Sequence, residues 1–321
     1  MTYLVTGTAG FIGSKVAEML LGQGHEVIGV DNMNDYYSPV LKQHRLKQLT
    51  SSSNFRFFEI DIEALDPVKK LFESYKFAGV LHLAARAGVR YSLENPHVYL
   101  STNAQGTLNI LECMRMHQVK KMVLASTSSL YAGQPMPFNE DLAVNEPISP
   151  YAASKKAAEV MAYSYHRMHD LDISVVRYFT VYGPAGRPDM SIYCFTKALL
   201  EGKAFELFGN GSQSRDFTYI DDIARGTLLA LKEVGYEIVN LGGGNNPTSL
   251  NTVIETLEQL TGKKALINNQ AFHKADLKAT WANIEKAKKL FNWEPKISLE
   301  QGLEQTVKWH KDNYPFIESI G

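Results

Sequence analysis

The chain has 321 residues, 45% of them hydrophobic, with 33 Lys and Arg against 34 Asp and Glu for a formal net charge of -1. That length allows a sizeable core in two lobes, and the near-neutral balance argues against nucleic-acid or membrane-surface partners. Cys113 and Cys194 stand alone without metal-ligand spacing, so no metal site is expected. No apolar run approaches a membrane span and no leader precedes the first strand, which makes the cytoplasm the expected compartment.

Tyr3 to Thr6 reads as a buried strand that runs straight into TGTAGFIG. Gly7 permits a tight turn, Gly10 lets backbone approach a phosphate, and Gly13 lets the next helix, Ser14 to Leu21, pack near the strand. The free N–H groups at that helix start suit an anion. A second strand, Glu26 to Val30, ends at Asp31, placed where a carboxylate grasps the adenosine ribose hydroxyls. No Arg or Lys falls between Asn32 and Tyr37, which favours NAD over NADP. A helix around Val40 to Leu49 follows, then a strand from Asn54 to Ile60 that ends at Asp61 and Ile62, a plausible adenine contact. Further elements are a helix over Pro67 to Tyr75 and a strand over Gly79 to Leu83. The small residues Ala84, Ala85 and Ala87 come next, then one long helix from about Pro96 to His117 that contains Asn103.

The fifth strand, Lys121 to Ala125, empties into Ser126-Thr127-Ser128-Ser129. Ser149 is a good N-cap and Pro150 a good first residue for the helix that carries Tyr151 and Lys155. A sixth strand covers Ile173 to Tyr178. Strands alternating with helices predict an α/β fold, a doubly wound parallel sheet of Rossmann type with a smaller C-terminal substrate lobe. Residues 1–178 form the expected NAD-binding domain, with 216–243 returning to it through a strand at Val239 to Leu241. Residues 179–321 form most of the substrate lobe, with helices near Leu250 to Thr261 and Ile284 to Phe291. The cofactor is expected against Gly7, Gly10, Phe11, Ile12, Gly13, Asp31, Asn32, Asp61, Ile62, Leu83, Ala84 and Ala85, with Asn103, Ser126, Tyr151, Lys155 and Tyr178 completing its site.

Tyr151 and Lys155 share a helical face. A phenol with an ordinary pKa of about 10 is a poor base at neutral pH, and bringing it to neutrality takes about 4 kcal/mol of extra phenolate stabilisation. Lys155, an oxidised nicotinamide and the helix N-terminus are the expected sources. A phenolate so prepared accepts the proton of an alcohol as hydride leaves the same carbon. Thr127 is placed to share that proton path. His82 reads as a packed strand-end residue.

Over nearly its whole length the chain resembles the extended short-chain dehydrogenase/reductase family and, within it, the nucleotide-sugar epimerases. TGTAGFIG, HLAARAGVRYSLENP, STSSLY, YAASK, RYFTVYGPAGRPDM and RDFTYIDDI match in order. AGVRYSLENP and TVYGP-x-GRPDM are most similar to the UDP-glucuronate 4-epimerase pattern. Arg86 stands where that pattern usually has Gln, Ala185 where it has Trp, His273-Lys274-Ala275-Asp276 for Gln-Pro-Gly-Asp, and Asn283 for an acid; the first two are expected near the sugar. The resemblance implies tightly held NAD, oxidation at C4, rotation of the 4-keto sugar and return of the hydride to its other face. Related dehydratases and decarboxylases carry an acid in the stretch corresponding to Ser126–Tyr131; none is present here, which favours epimerisation. The alternatives are a UDP-glucuronate decarboxylase, a 4-epimerase of a neutral or N-acetylated UDP-hexose, and a catalytically silent NAD-binding regulator. A 4-keto uronic acid loses carbon dioxide readily, so Ser128, Ser129 and Thr180 are expected to grip the carboxylate, with Arg187 offering a bidentate contact to it or, alternatively, to diphosphate or ribose. Arg215, Asp276 and Arg90 are the expected UDP handle. The family's usual pairing through a four-helix bundle implies a homodimer, with Tyr99, Leu108, Leu111 and Met161 as candidate contacts.

Overall fold

The computed structural model describes residues 1–245, 247–272 and 276–320. Its first half alternates strand and helix: β1 (Thr2–Thr6), α1 (Phe11–Gly22), β2 (Glu26–Asp31), α2 (Pro39–Leu49), β3 (Phe55–Glu59), α3 (Leu65–Ser74) and β4 (Gly79–His82). Then come α4 (Val89–Glu94), the single turn α5 (His97–Tyr99), a widened π-type turn at Leu100–Gln105, α6 (Gly106–Met116), β5 (Lys121–Thr127), a 3₁₀ turn at Ser128–Tyr131, α7 (Pro150–His169) and β6 (Asp172–Tyr178). β7 (Thr180–Tyr182), α8 (Ser191–Glu201), β8 (Ala204–Phe208), β9 (Ser214–Arg215), β10 (Phe217–Tyr219), α9 (Ile220–Leu229) and β11 (Tyr236–Leu241) follow. The chain finishes with β12 (Thr248–Ser249), α10 (Leu250–Thr261), β13 (Leu266–Gln270), α11 (Glu285–Phe291), α12 (Leu299–Asp312) and α13 (Tyr314–Ser319).

Seven strands form one parallel sheet in the order β11-β6-β5-β4-β1-β2-β3. The order reverses between β1 and β4, and that crevice is where a doubly wound sheet takes its ligand. Strand side chains alternate between two apolar cores. Val5, Leu81, Val123 and Val176 join one, and Leu4, Val80, Leu124 and Val175 the other. Every residue of β5 is buried, as expected of a strand covered on both faces. β11 extends the sheet beyond β6, in register from Tyr236 on Ile173 to Leu241 on Tyr178.

One expected element differs. The helix expected from Pro96 to His117 runs unbroken from His97 to Met116, but it widens at Leu100–Gln105, where Asn103 faces inward. Its Nδ2 donates to the Arg86 carbonyl at 3.0 Å and to Ser154 Oγ at 2.9 Å, and its Oδ1 accepts the Arg86 N–H at 2.8 Å. A widened turn of this kind re-aims one side chain without ending the helix. The helices α4, α8 and α12 and the pairs β7–β10, β9–β12 and β8–β13 add to the expected elements; of these, α12 is marked in the sequence by the capping box of Ser298 and Gln301. Among the described residues no helix is long and apolar enough to cross a membrane.

Candidate active site

The Gly-rich turn is built for close approach. A Cβ on Gly7, at φ +72, would sit 2.7 Å from the Ala84 backbone N, and one on Gly13 would collide with the Gly7 carbonyl. α1 starts at Phe11 with no side-chain cap and no acid in its first turn, leaving its N–H groups for an anion. Gly7, Gly10, Asp31, Asn32, Ile62, Leu83, Ala84 and Ala85, all expected at the cofactor, line one cleft. Asp31 is fixed there by the N–H groups of Ala9 at 3.2 Å and Met33 at 2.9 Å. Asn32 donates to Asp61 at 2.9 Å. This cradle of bare backbone, helix N-terminus and buried carboxylate fits a dinucleotide.

Other expected cofactor residues are placed behind this surface. Phe11 is buried in the core. Asn103 holds Arg86 and the catalytic helix together, as above. The Ser126 hydroxyl donates to Glu159 at 2.6 Å, and the Tyr178 hydroxyl shares a 2.8 Å bond with Thr227. Two cations that the reading of residues 32–37 did not include line the cleft: Lys42, 3.4 Å from Asp31, and Arg86, 3.0 Å from Asn34 Oδ1. Arg86, expected near the sugar, thus shares the cleft with Asp31 and Asn34. Asn283 accepts the Glu285 N–H at 2.9 Å at the start of α11, and the departure at 273–275 lies outside the described residues.

Ser149 caps α7 by accepting the Ala152 N–H at 3.2 Å, with Pro150 in the first turn, so Tyr151 emerges at the helix start. Tyr99 packs edge-on to it, with ring centroids 6.0 Å apart. Burial pushes the Tyr151 phenol above its ordinary value; the Thr127 hydroxyl and then the Arg187 charge pull it back. Lys155 donates to the Ala125 carbonyl at 2.9 Å, and burial lowers its ammonium to about 8 against the attraction of Glu159. Arg187 thus adds a second cation near the phenol, beside the Lys155 that the sequence pointed to. Arg187 itself gives Nε and Nη2 to Asp189, and Asp189 also accepts from Tyr36 at 3.3 Å. Ser128, Ser129 and Thr180 are only partly buried, and Thr127 Oγ1 accepts the Ser129 N–H at 3.1 Å.

Behind α7 lies a buried polar chain that the sequence did not reveal. Glu159 receives Ser126 and, at 2.9 and 2.8 Å, the Nε and Nη2 of Arg177. Arg177 Nη1 donates to the Tyr131 hydroxyl, which donates to Asn240 on β11, both at 2.8 Å. His82 has Thr6 and Thr107 hydroxyls at 2.8 and 3.1 Å on its two ring nitrogens. Burial, with the Lys155 charge nearby, pushes its imidazole down to about 3. The unfolded chain takes up this proton near pH 6.5 and the folded chain only near 3, so stability falls as pH drops through that window. Urea unfolding should show a shallower pH dependence below pH 6.5 for His82→Gln than for the parent; equal slopes would contradict it.

The expected UDP handle assembles at the other end. Arg90 pairs with Asp276 at 2.6 Å and stacks over Phe208 with its guanidinium 3.8 Å from the ring centre. Arg215 is half-buried beside them: desolvation lowers its pKa, Asp276 opposes that and Arg90 adds to it.

A dinucleotide cradle at the switch point, with a helix-borne Tyr–Lys pair at the next strand end, defines a nicotinamide-dependent enzyme of alcohol and ketone chemistry. The profile of the NAD dependent epimerase/dehydratase family matches residues 3–242, and the chain belongs to that family. It is 62% identical over 318 residues to the UDP-glucuronate 4-epimerase of Thermodesulfobacterium geofontis, covering 99% of this chain and 98% of that one. The UDP-glucuronic acid 4-epimerase of Bacillus cereus, solved with UDP-glucuronic acid and NAD, superposes with a TM-score of 0.91 at 37% identity, covering 98% of this chain and all of that one. A UDP-glucose 4-epimerase from Thermotoga maritima, solved with UDP-glucose, gives a TM-score of 0.86 at 32% identity over 98% of this chain and all of that one.

Proposed function

We propose that the protein interconverts UDP-glucuronate and UDP-galacturonate by epimerising C4. The observation that carries this reading is the end of β5: Thr127 beside the Tyr151 phenol, with the hydroxyls of Ser128 and Ser129 next to it and no carboxylate from Ser126 to Tyr131. Bound NAD supplies the hydride acceptor, and later the donor, for a transient oxidation at C4. Tyr151 takes the proton from the 4-hydroxyl and returns it to the rotated 4-keto sugar, with Thr127 sharing the path. Lys155 holds the cofactor ribose and adds positive charge on the same side of α7 as the phenol. Asp31, Asn32 and the bare turn at Gly7 and Gly10 hold the dinucleotide, while Arg90, Arg215 and Asp276 hold the UDP end.

The sugar carboxylate is gripped by Ser128, Ser129 and Thr180. The Arg187 fork is already occupied by Asp189, so the hydroxyls carry this grip and Arg187 contributes its field. A carboxylate held out of line with the C4 carbonyl does not leave as carbon dioxide. The 62% identical relative named above supports this substrate. Incubating the purified protein with UDP-glucuronate and separating the products tests it. UDP-galacturonate is expected; a UDP-pentose, or turnover only of neutral UDP-hexoses, would overturn the reading.

The division at residue 178, with 216–243 returning to the cofactor domain, is part of the same proposal and is supported by the pairing of β11 with β6. So is a cytoplasmic enzyme, consistent with two unpaired thiols. We also read it as a homodimer. Tyr99 and Leu111 are fully buried in the protomer, so they do not supply contacts, whereas Leu100 is 61% and Val160 56% exposed on neighbouring helical segments. Light scattering should give twice the 35.9 kDa chain mass for the parent and a lower mass for Val160→Glu; a monomeric parent refutes the pairing.

A further inference from the structure

Arg45 is 3% exposed, in the middle of α2, on the stripe that also buries Leu41, Leu46 and Leu49. Its guanidinium makes five hydrogen bonds. Nη1 donates to the Ala9 carbonyl at 3.1 Å and to the Tyr37 hydroxyl at 2.7 Å. Nε and Nη2 both donate to the Ala185 carbonyl, at 3.0 and 2.8 Å, and Nη2 also reaches the Gly186 carbonyl at 2.9 Å. Every acceptor is a neutral oxygen, and among the described residues no carboxylate lies within ion-pair distance of it. A buried cation is ordinarily matched by an anion; here its fork is used to gather backbone.

The backbone it gathers belongs to two functional loops. Ala9 lies in the Gly-rich turn that carries the cofactor's phosphates. Ala185 and Gly186 immediately precede Arg187, whose charge acts on Tyr151. Ala185 sits in the left-handed region at φ +51, a conformation that its own methyl group does nothing to secure. The Arg45 fork supplies the restraint instead, by taking both carbonyls of the turn. No other side chain type offers five donors in a rigid plane, so Lys cannot reproduce the arrangement.

We propose that Arg45 is a positioning residue that holds the Ala185–Gly186 turn against the Gly-rich turn and thereby sets Arg187 relative to Tyr151 and the sugar. It touches neither cofactor nor substrate. The inference rests on the nucleotide-sugar reading of the cleft but not on which UDP-sugar is turned over.

The test is a double-mutant cycle on the NAD-loaded protein, using whichever UDP-sugar the parent turns over. Arg45→Lys should lower kcat/KM by about a hundredfold, as misplacement of a reacting geometry by an ångström does. Tyr37→Phe, which removes one of the five bonds and is the gentler change, should lower it by about threefold. In an Arg187→Ala background each change should cost less than about twofold further, because residues acting through one another are not additive. The same cycle is read as UDP-sugar affinity in Tyr151→Phe protein, which binds without turning over. Thermal unfolding of every variant separates misfolding from misplacement. Losses that multiply undiminished in the Arg187→Ala background, or a well-folded Arg45→Lys with parental kcat/KM and affinity, overturn the proposal. Failure of UDP-glucuronate alone as substrate would overturn the proposed function and leave this inference standing.

Discussion

Tyr151→Phe should lower kcat by about a hundredfold to ten-thousandfold, the range supplied by a positioned acid–base group. The change keeps the ring that packs edge-on to Tyr99 at 6.0 Å, so the cleft keeps its shape. What is lost is the single oxygen that moves the proton. Thr127 remains, but a hydroxyl with an ordinary alcohol's acidity cannot serve as base near neutral pH. Retention of NAD and the affinity for UDP-glucuronate should be close to the parent's, measured by cofactor release on denaturation and by calorimetry. Undiminished turnover in a folded, NAD-loaded Tyr151→Phe would remove the phenol from the mechanism. The protein by itself leaves this phenol above its ordinary value, through burial. Its activation therefore belongs to the loaded enzyme, with the Thr127 hydroxyl and the Arg187 charge already opposing burial.

Glu159→Gln should destabilise the fold by about 3–5 kcal/mol, as breaking a buried ion pair from one side does. Arg177 is 1% exposed and would keep its charge without a counter-ion. The damage would spread along Ser126, Tyr131 and Asn240, which join β5, the turn after it and β11 through this carboxylate. Replacing both partners, Glu159→Met with Arg177→Met, should restore most of the loss, since an apolar pair of similar volume needs no desolvation of charge. Urea unfolding of the three proteins checks both statements. A Glu159→Gln within about 1 kcal/mol of the parent would mean that the pair is solvated in practice.

Much of this site could be read from the chain because its signals are local. Gly7, Gly10, Gly13 and Asp31 occupy fixed offsets from one strand–helix–strand unit, and Ser149-Pro150 marks the start of the helix that carries Tyr151 and Lys155. The parallel sheet followed from alternation alone. What escaped depends on tertiary burial. Glu159 and Arg177 look like surface charges until β6 and α7 are packed together. The hold of Asn103 on the Arg86 backbone, and the reach of the Arg86 guanidinium to Asn34, likewise join residues far apart in the chain. Lys42 and Arg45 did carry a signal: they fall in phase with Leu41, Leu46 and Leu49, on the stripe of α2 that must be buried. A basic residue on an apolar stripe has to meet an oxygen, and here those oxygens belong to Asp31 and to the two loops of the cleft. The C-terminal third was harder because its strands form isolated pairs outside the alternating strand–helix pattern, and those of β7–β10 and β9–β12 are only two or three residues long.

The central claim is that one hydride leaves C4 and comes back to the same carbon from the other side. UDP-glucuronate carrying deuterium at C4, converted in ordinary water, tests it directly. The account predicts UDP-galacturonate with the deuterium still on C4 and no solvent hydrogen there; product whose C4 label has washed into water would contradict it.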